Sequence, residues 1–187
     1  MASGLGVRAS CGPPEGALRA FTLDFTDPLN GQPRYNIDFA IGKFDRKSDV
    51  MLLQVLLNLL YFDLAPGSAA LGFVAPARER LKEDGKLGDL TSKFIVATYL
   101  QLLKNGANLA PFVSRGADTL DPMRAPGERS KLMNVNYFID VLQDNISFLD
   151  AQQQFGRYSL LRFDNDVPAV LRNALKTVKD TAAQYDE

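Results

Sequence analysis

Near the start of the patterned region, apolar side chains recur every second position. Phe21, Leu23 and Phe25 alternate with Thr22 and Asp24, and Tyr35, Ile37, Phe39 and Ile41 alternate with Asn36, Asp38 and Ala40. A period of two in aromatic and branched residues describes strands with one buried face. The intervening TDPLNGQP supplies Asp-Pro and Asn-Gly, both turn formers, so an antiparallel β-hairpin is predicted over residues 20–42. From Ser48 the period lengthens to that of a helix. Ser48 is read as the N-cap and Asp49 as a first-turn acid facing the positive end of the helix. The segment DVMLLQVLLNLLYF is then apolar nearly all round, broken by Gln54 and Asn58, four apart on one face. A surface helix has one apolar stripe, so this one has to be covered on most sides by the hairpin, by later helices or by a partner.

After Asp63, LAPGSAALGFVAPARER reads as a connection with a short helical turn over 77–83. The run EDGKLGDL then leads to Thr91, read as the cap of a second helix. Phe94, Ile95, Thr98, Tyr99, Leu102 and Leu103 form one face of it, and Asn105-Gly106 ends it. A long turn-rich connection precedes a third helix, predicted from Lys131 to about Phe148 with Leu132, Val135, Phe138, Ile139, Leu142 and Ile146 at helical spacing. GRYSLLRFDND reads as a short strand or extended loop. Asp166 and Pro168 signal a last helix over 166–184 carrying Val170, Leu171, Ala174, Leu175 and Val178. Residues 1–17, rich in Gly, Pro, Ser and Ala, read as a flexible leader. Residues 18–187 read as one domain with a helical core over 48–146.

Composition narrows the chemistry. The chain has no histidine and one cysteine, Cys11, which removes Ser-His and Cys-His nucleophilic sites, thiolate zinc sites and an internal disulfide. No cofactor or metal is expected. The 21 basic and 22 acidic residues leave a formal charge of -1, which offers no global field for nucleic acid or an anionic membrane. MASGLGVRAS lacks the apolar core of a signal peptide, and Val50 to Phe62 is too short to cross a bilayer. Synthesis in the cytoplasm without membrane insertion is the expectation, leaving open carriage outward by a dedicated apparatus or incorporation into a particle.

The pair AIGKFDRKSDVMLLQVLLNLL and EDGKLGDLTSKFIVATYLQLL resembles the peptidoglycan-binding-like domain, a small three-helix bundle. In that family an Asp-Val-x-x-x-Gln-x-x-Leu helix precedes an Asp-Gly-x-x-Gly-x-x-Thr turn, which opens a second helix ending in an aromatic-Gln pair. Asp49, Val50, Gln54, Leu57, Asp84, Gly85, Gly88, Thr91, Ala97 and Gln101 stand at matching places, with Leu100 where the family has the aromatic. The likeness spans roughly residues 42–145, and a weaker second turn around Asp118 matches the start of the family's last helix. It implies a mainly α fold, a peptidoglycan-binding-like bundle with an added N-terminal β-hairpin and C-terminal helix. Physically the motif needs no ligand. Gly85 and Gly88 allow positive φ, Asp84 can close an Asx-turn, and Thr91 can cap.

The resemblance implies a non-catalytic module that binds cell-wall glycan or peptide in a shallow groove beside the second helix. Tyr99, Arg115 and Asp118 are the candidate ligand contacts, with Tyr137, Arg124 and Arg129 as further possibilities. The alternative is an assembly protein of a phage particle or contractile secretion apparatus, acting through protein–protein contacts or self-association. The all-round apolar first helix and the hairpin edge favour it. A third reading is a carboxylate-only hydrolase built on Glu79, Glu83 and Asp84, which would need two acids at suitable separation.

Overall fold

A computed structural model describes residues 20–26, 31–38, 41, 47–109, 120–123, 126–130 and 133–179. Cys11, Arg115, Asp118 and Arg124 lie outside the described residues, as does the segment 1–17. The described chain is rich in helix with one small sheet. Strands β1 (Phe21–Thr26) and β2 (Pro33–Asn36) precede helix α1 (Lys47–Asn58), which runs on through a π-helical turn, Leu59–Asp63. Helices α2 (Ala65–Ala70), α3 (Asp89–Lys104), α4 (Phe138–Gln153) and α5 (Ala169–Leu175) follow, then strand β3 (Val178–Lys179).

Helix α1 is the centre of the molecule. Every residue from Ser48 to Asn58 is buried, and α3, α4 and α5 pack against it. Its all-round apolar surface is therefore covered within the chain, and no partner is needed for that purpose. Ser48 is not the cap expected from the sequence. It lies inside the first turn, and its Oγ accepts the Ala20 N–H at 3.2 Å, which ties the start of β1 to α1.

The sheet order is β2-β1-β3. β1 and β2 are antiparallel, pairing Thr22 with Tyr35 and Thr26 with Pro33, with a register shift between them. β3 adds in parallel, Thr22 opposite Val178 and Leu23 opposite Lys179. Of the helix expected over 166–184, α5 covers Ala169–Leu175 and β3 takes Val178–Lys179, while 180–184 lie outside the described residues. The helix stops at Leu175 because Thr22 draws its end into the sheet: Thr22 Oγ1 donates to Leu175 O at 2.6 Å and Thr22 N–H to Thr177 O at 2.9 Å. The β-branched pair Thr177-Val178 suits that extended path.

Three further boundaries differ from the apolar spacing. α4 begins at Phe138 rather than Lys131, since Asn134 takes φ 54° and Ser130 N–H bonds Val135 O at 2.8 Å, a turn incompatible with helix. The short helix after α1 sits at Ala65–Ala70, not 77–83. Pro66 starts it and the Ser68 hydroxyl bonds back to Leu60 O and Leu64 O. Residues 157–163 form successive turns rather than a strand, with Tyr158 and Leu161 buried beneath them.

The β2 edge is closed by a side chain. Gln143 on α4 accepts the Tyr35 N–H through Oε1 and donates from Nε2 to Tyr35 O, both at 2.8 Å, as a neighbouring strand would. Tyr158 OH donates to the same Gln143 Oε1 at 2.8 Å, and its ring meets Tyr35 edge-on. Beside them the buried Arg34 guanidinium donates to Asp144.

Candidate interaction surface

The segment from Leu81 to Lys86 carries no regular structure, yet α1 fixes it with two amides. Asn58 Oδ1 accepts the Leu81 N–H and its Nδ2 donates to Leu81 O, each at 2.9 Å. One turn earlier, Gln54 Oε1 accepts the Gly85 N–H at 2.9 Å. Its Nε2 shares two protons among Lys86 O (3.0 Å), Thr91 Oγ1 (3.2 Å) and Asp84 Oδ1 (3.4 Å). The only two uncharged polar side chains that interrupt the apolar run after the cap thus hold the loop that launches α3.

Within that loop Asp84 Oδ1 accepts the Lys86 N–H at 3.0 Å, an Asx-turn. That bond, helped by Gln54, holds the Asp84 carboxyl below its usual range. Gly85 has φ 73°, and a Cβ there would lie 2.4 Å from Lys47 O, so both conformation and close packing demand glycine. Gly88 differs from the expectation of positive φ. It sits at φ -104°, ψ 175° in open space as the N-cap of α3. Thr91 is consequently the third residue of α3 rather than its cap, and its hydroxyl is spent on Gln54. Asp49 is buried in the first turn of α1.

The inner face of α3 consists of Phe94, Ile95, Thr98, Tyr99 and Leu102. Thr98 Oγ1 donates to Phe94 O and meets Tyr61 OH at 3.0 Å, and Phe94 packs edge-on against the Tyr61 ring. Tyr99 is 7% exposed, so its ring offers no face for sugar stacking, and Tyr137 is equally buried. The far end of α3 is clipped by Gln101, whose Nε2 donates to Leu71 O at 3.2 Å and Asn105 Oδ1 at 2.8 Å.

The outer face carries what the apolar spacing did not reveal. Val96, Leu100 and Leu103 are 43%, 59% and 38% exposed. At i, i+4 and i+7 they form one stripe along solvent. Leu103, counted on the buried face from sequence, belongs to this stripe. A signal was present: α3 has apolar residues on more of its circumference than one core contact uses.

Glu83 Oε1 accepts the Asn58 amide at 2.9 Å, and Glu79 is exposed. Arg129 is exposed and its Nε donates to Asn136 Oδ1 at 3.1 Å. Among the described residues no group of three or more His, Cys, Asp or Glu side chains could hold a metal ion, and no helix is long and apolar enough to cross a membrane. Compared with known proteins, the chain matches no family model, no curated protein and no solved structure.

Proposed function

We propose that the chain is a non-catalytic interaction module that binds a partner protein through the outer face of α3. The Val96–Leu100–Leu103 stripe carries this reading. These side chains stay partly exposed in the fold, outside the core closed beneath them by Phe94, Tyr99 and Leu102. Their spacing is the one by which an amphipathic helix engages an apolar partner surface. The helix is also rigidly mounted, by Gln54 on the loop before it and by Gln101 on Leu71 at its far end. A component of a phage particle or a contractile secretion apparatus would use such a face.

The support for a non-catalytic role is chemical. A general acid needs a carboxyl held protonated near neutrality, whereas Asp84 is pushed the other way and Glu83 is engaged by Asn58.

A second reading is favoured by the bracing of the Asp84–Thr91 turn by Gln54. It supports the inference that α1, α3 and α4 form the three-helix bundle of a peptidoglycan-binding-like domain, with a cell-wall ligand beside α3. Against it, that face presents aliphatic side chains, and the exposed aromatics among the described residues are Phe148, Phe155 and Phe163 on α4 and the turns after it. Glycans are held by aromatic faces and polar groups rather than by an aliphatic stripe.

A photo-crosslinking amino acid at position 100, compared with one at the exposed Lys82, tests the protein reading in cells that make the chain. A discrete protein adduct from position 100, absent from position 82 and lost with Val96→Asp, is expected. Identical adducts from both positions, or none from position 100, would overturn it. Retention of the purified chain on insoluble peptidoglycan that Leu100→Asp abolishes would transfer the assignment to the second reading.

A further inference from the structure

We infer that the partner of the α3 face is a different protein carrying an acidic helix with its own apolar face, and not a second copy of this chain. This rests on the interaction reading above and adds the partner's charge and identity class. Lys93 lies three residues before Val96, and Lys104 four after Leu100 and next to Leu103, so both border the stripe along one flank, one near each end. Both are exposed, and neither makes an ion pair or side-chain hydrogen bond among the described residues. Asp89, the acid on the same side, lies a full turn earlier, where the positive end of α3 stabilises it. The apolar stripe is thus bracketed by two available cations.

That bracket decides between occupants. Two copies packed antiparallel through their stripes, centred near Leu100, would set Lys93 of one beside Lys104 of the other at both ends. Packed in parallel, the two copies would place their lysines on opposite flanks of the contact, where they meet no acid. The antiparallel arrangement removes like charges from water against each other and the parallel one leaves the cations unmatched, whereas a helix with Leu-type anchors between two acidic residues meets both cations and the stripe together. The polar flank formed by Gln101 and Asn105, already bonded to Leu71 O, limits the width of the contact to about one helix face.

The test uses two labelled synthetic peptides on the full chain, each an amphipathic helix with leucines at i, i+4 and i+7. One is flanked by glutamates and the other by lysines. Fluorescence anisotropy at about 50 mM salt, where screening is weak, should show the Glu-flanked peptide binding roughly tenfold tighter. Leu100→Asp should abolish binding, and the double variant Lys93→Glu/Lys104→Glu should reverse the preference. All three positions are exposed, and circular dichroism verifies that the variants fold. Light scattering of the wild type should report a monomer. Equal binding of both peptides that still requires Leu100 would overturn the acidic partner while sparing the interaction face. A dimer that Leu100→Asp disperses would overturn the foreign partner. No binding of the Glu-flanked peptide, or binding indifferent to Leu100, would overturn the inference together with the face it rests on.

Discussion

Gln54 and Gly85 hold each other across the turn between α1 and α3: the Gln54 side-chain oxygen accepts the Gly85 N–H at 2.9 Å, while Gly85 lies against the carbonyl of Lys47 at the start of α1. The contact makes the loop an extension of the core. It also separates the two glycines that look alike in sequence. Gly85→Ala would strain a φ of 73° and drive a Cβ into backbone that cannot rotate away, for a loss of about 2–4 kcal/mol. Gly88→Ala, in open space at a cap, should cost less than about 1 kcal/mol. Urea unfolding of the two variants measures the contrast directly, and equal losses would mean that Gly85 is not packed as described.

Gln54→Leu keeps the volume in α1 and removes the polar end. The buried Gly85 N–H then has no acceptor, and Lys86 O and Thr91 Oγ1 lose their donor. An unsatisfied buried group costs about 1–3 kcal/mol, so a loss of about 2–3 kcal/mol is expected. Limited proteolysis should report where it falls, with cleavage accelerated at Lys82 or Lys86 and not at Lys104. Uniform acceleration would point to global destabilisation instead.

The two amides show how much was visible beforehand. That Gln54 and Asn58 share a face of an otherwise apolar helix follows from their spacing, as do the inner positions of α3, because a period of 3.6 is a local property. What the amides bind lies 23 to 37 residues further on, and no local pattern contains it. The same limit explains β3. Val178 continues the helical spacing of Val170, Leu171 and Leu175, yet its strand partner Thr22 comes from the opposite end of the chain. A two-residue strand carries no periodicity of its own. The outer stripe of α3 was missed for a different reason: apolar side chains predict burial, and Val96, Leu100 and Leu103 depart from that rule.

Lys179 on β3 closes the sheet over a buried charge. Its Nζ lies 3.0 Å from Asp38 Oδ1 and 4.6 Å from the Phe21 ring centroid, while Asp38 is 1% exposed. Lys179→Met should cost about 2 kcal/mol, less than for a fully buried pair because the lysine itself is partly solvated, and mainly because Asp38 loses its counter-ion. Adding Asp38→Asn should recover more than half of the loss. A double-mutant cycle in urea measures the coupling, and additive losses would show that β3 is held by its backbone bonds alone.

Tyr35 and Tyr158 make the fold sensitive to alkali. Burial pushes both hydroxyls well above the usual tyrosine range, since neither phenolate could be solvated beneath the turns after α4. An unfolded tyrosine ionises at about pH 10. The folded protein keeps both protons to higher pH, so their stabilisation is complete below about pH 10 and is lost as pH rises toward the folded values. Tyr158→Phe removes one of the two groups and one bond to Gln143, which still holds the Tyr35 N–H. The variant should therefore be about 1 kcal/mol less stable at pH 7, and its stability should fall less steeply than that of the wild type above about pH 10. Thermal unfolding followed by circular dichroism from pH 7 to 11 reads both quantities. Parallel curves for variant and wild type would mean that Tyr158 ionises in the folded state as freely as in the unfolded chain.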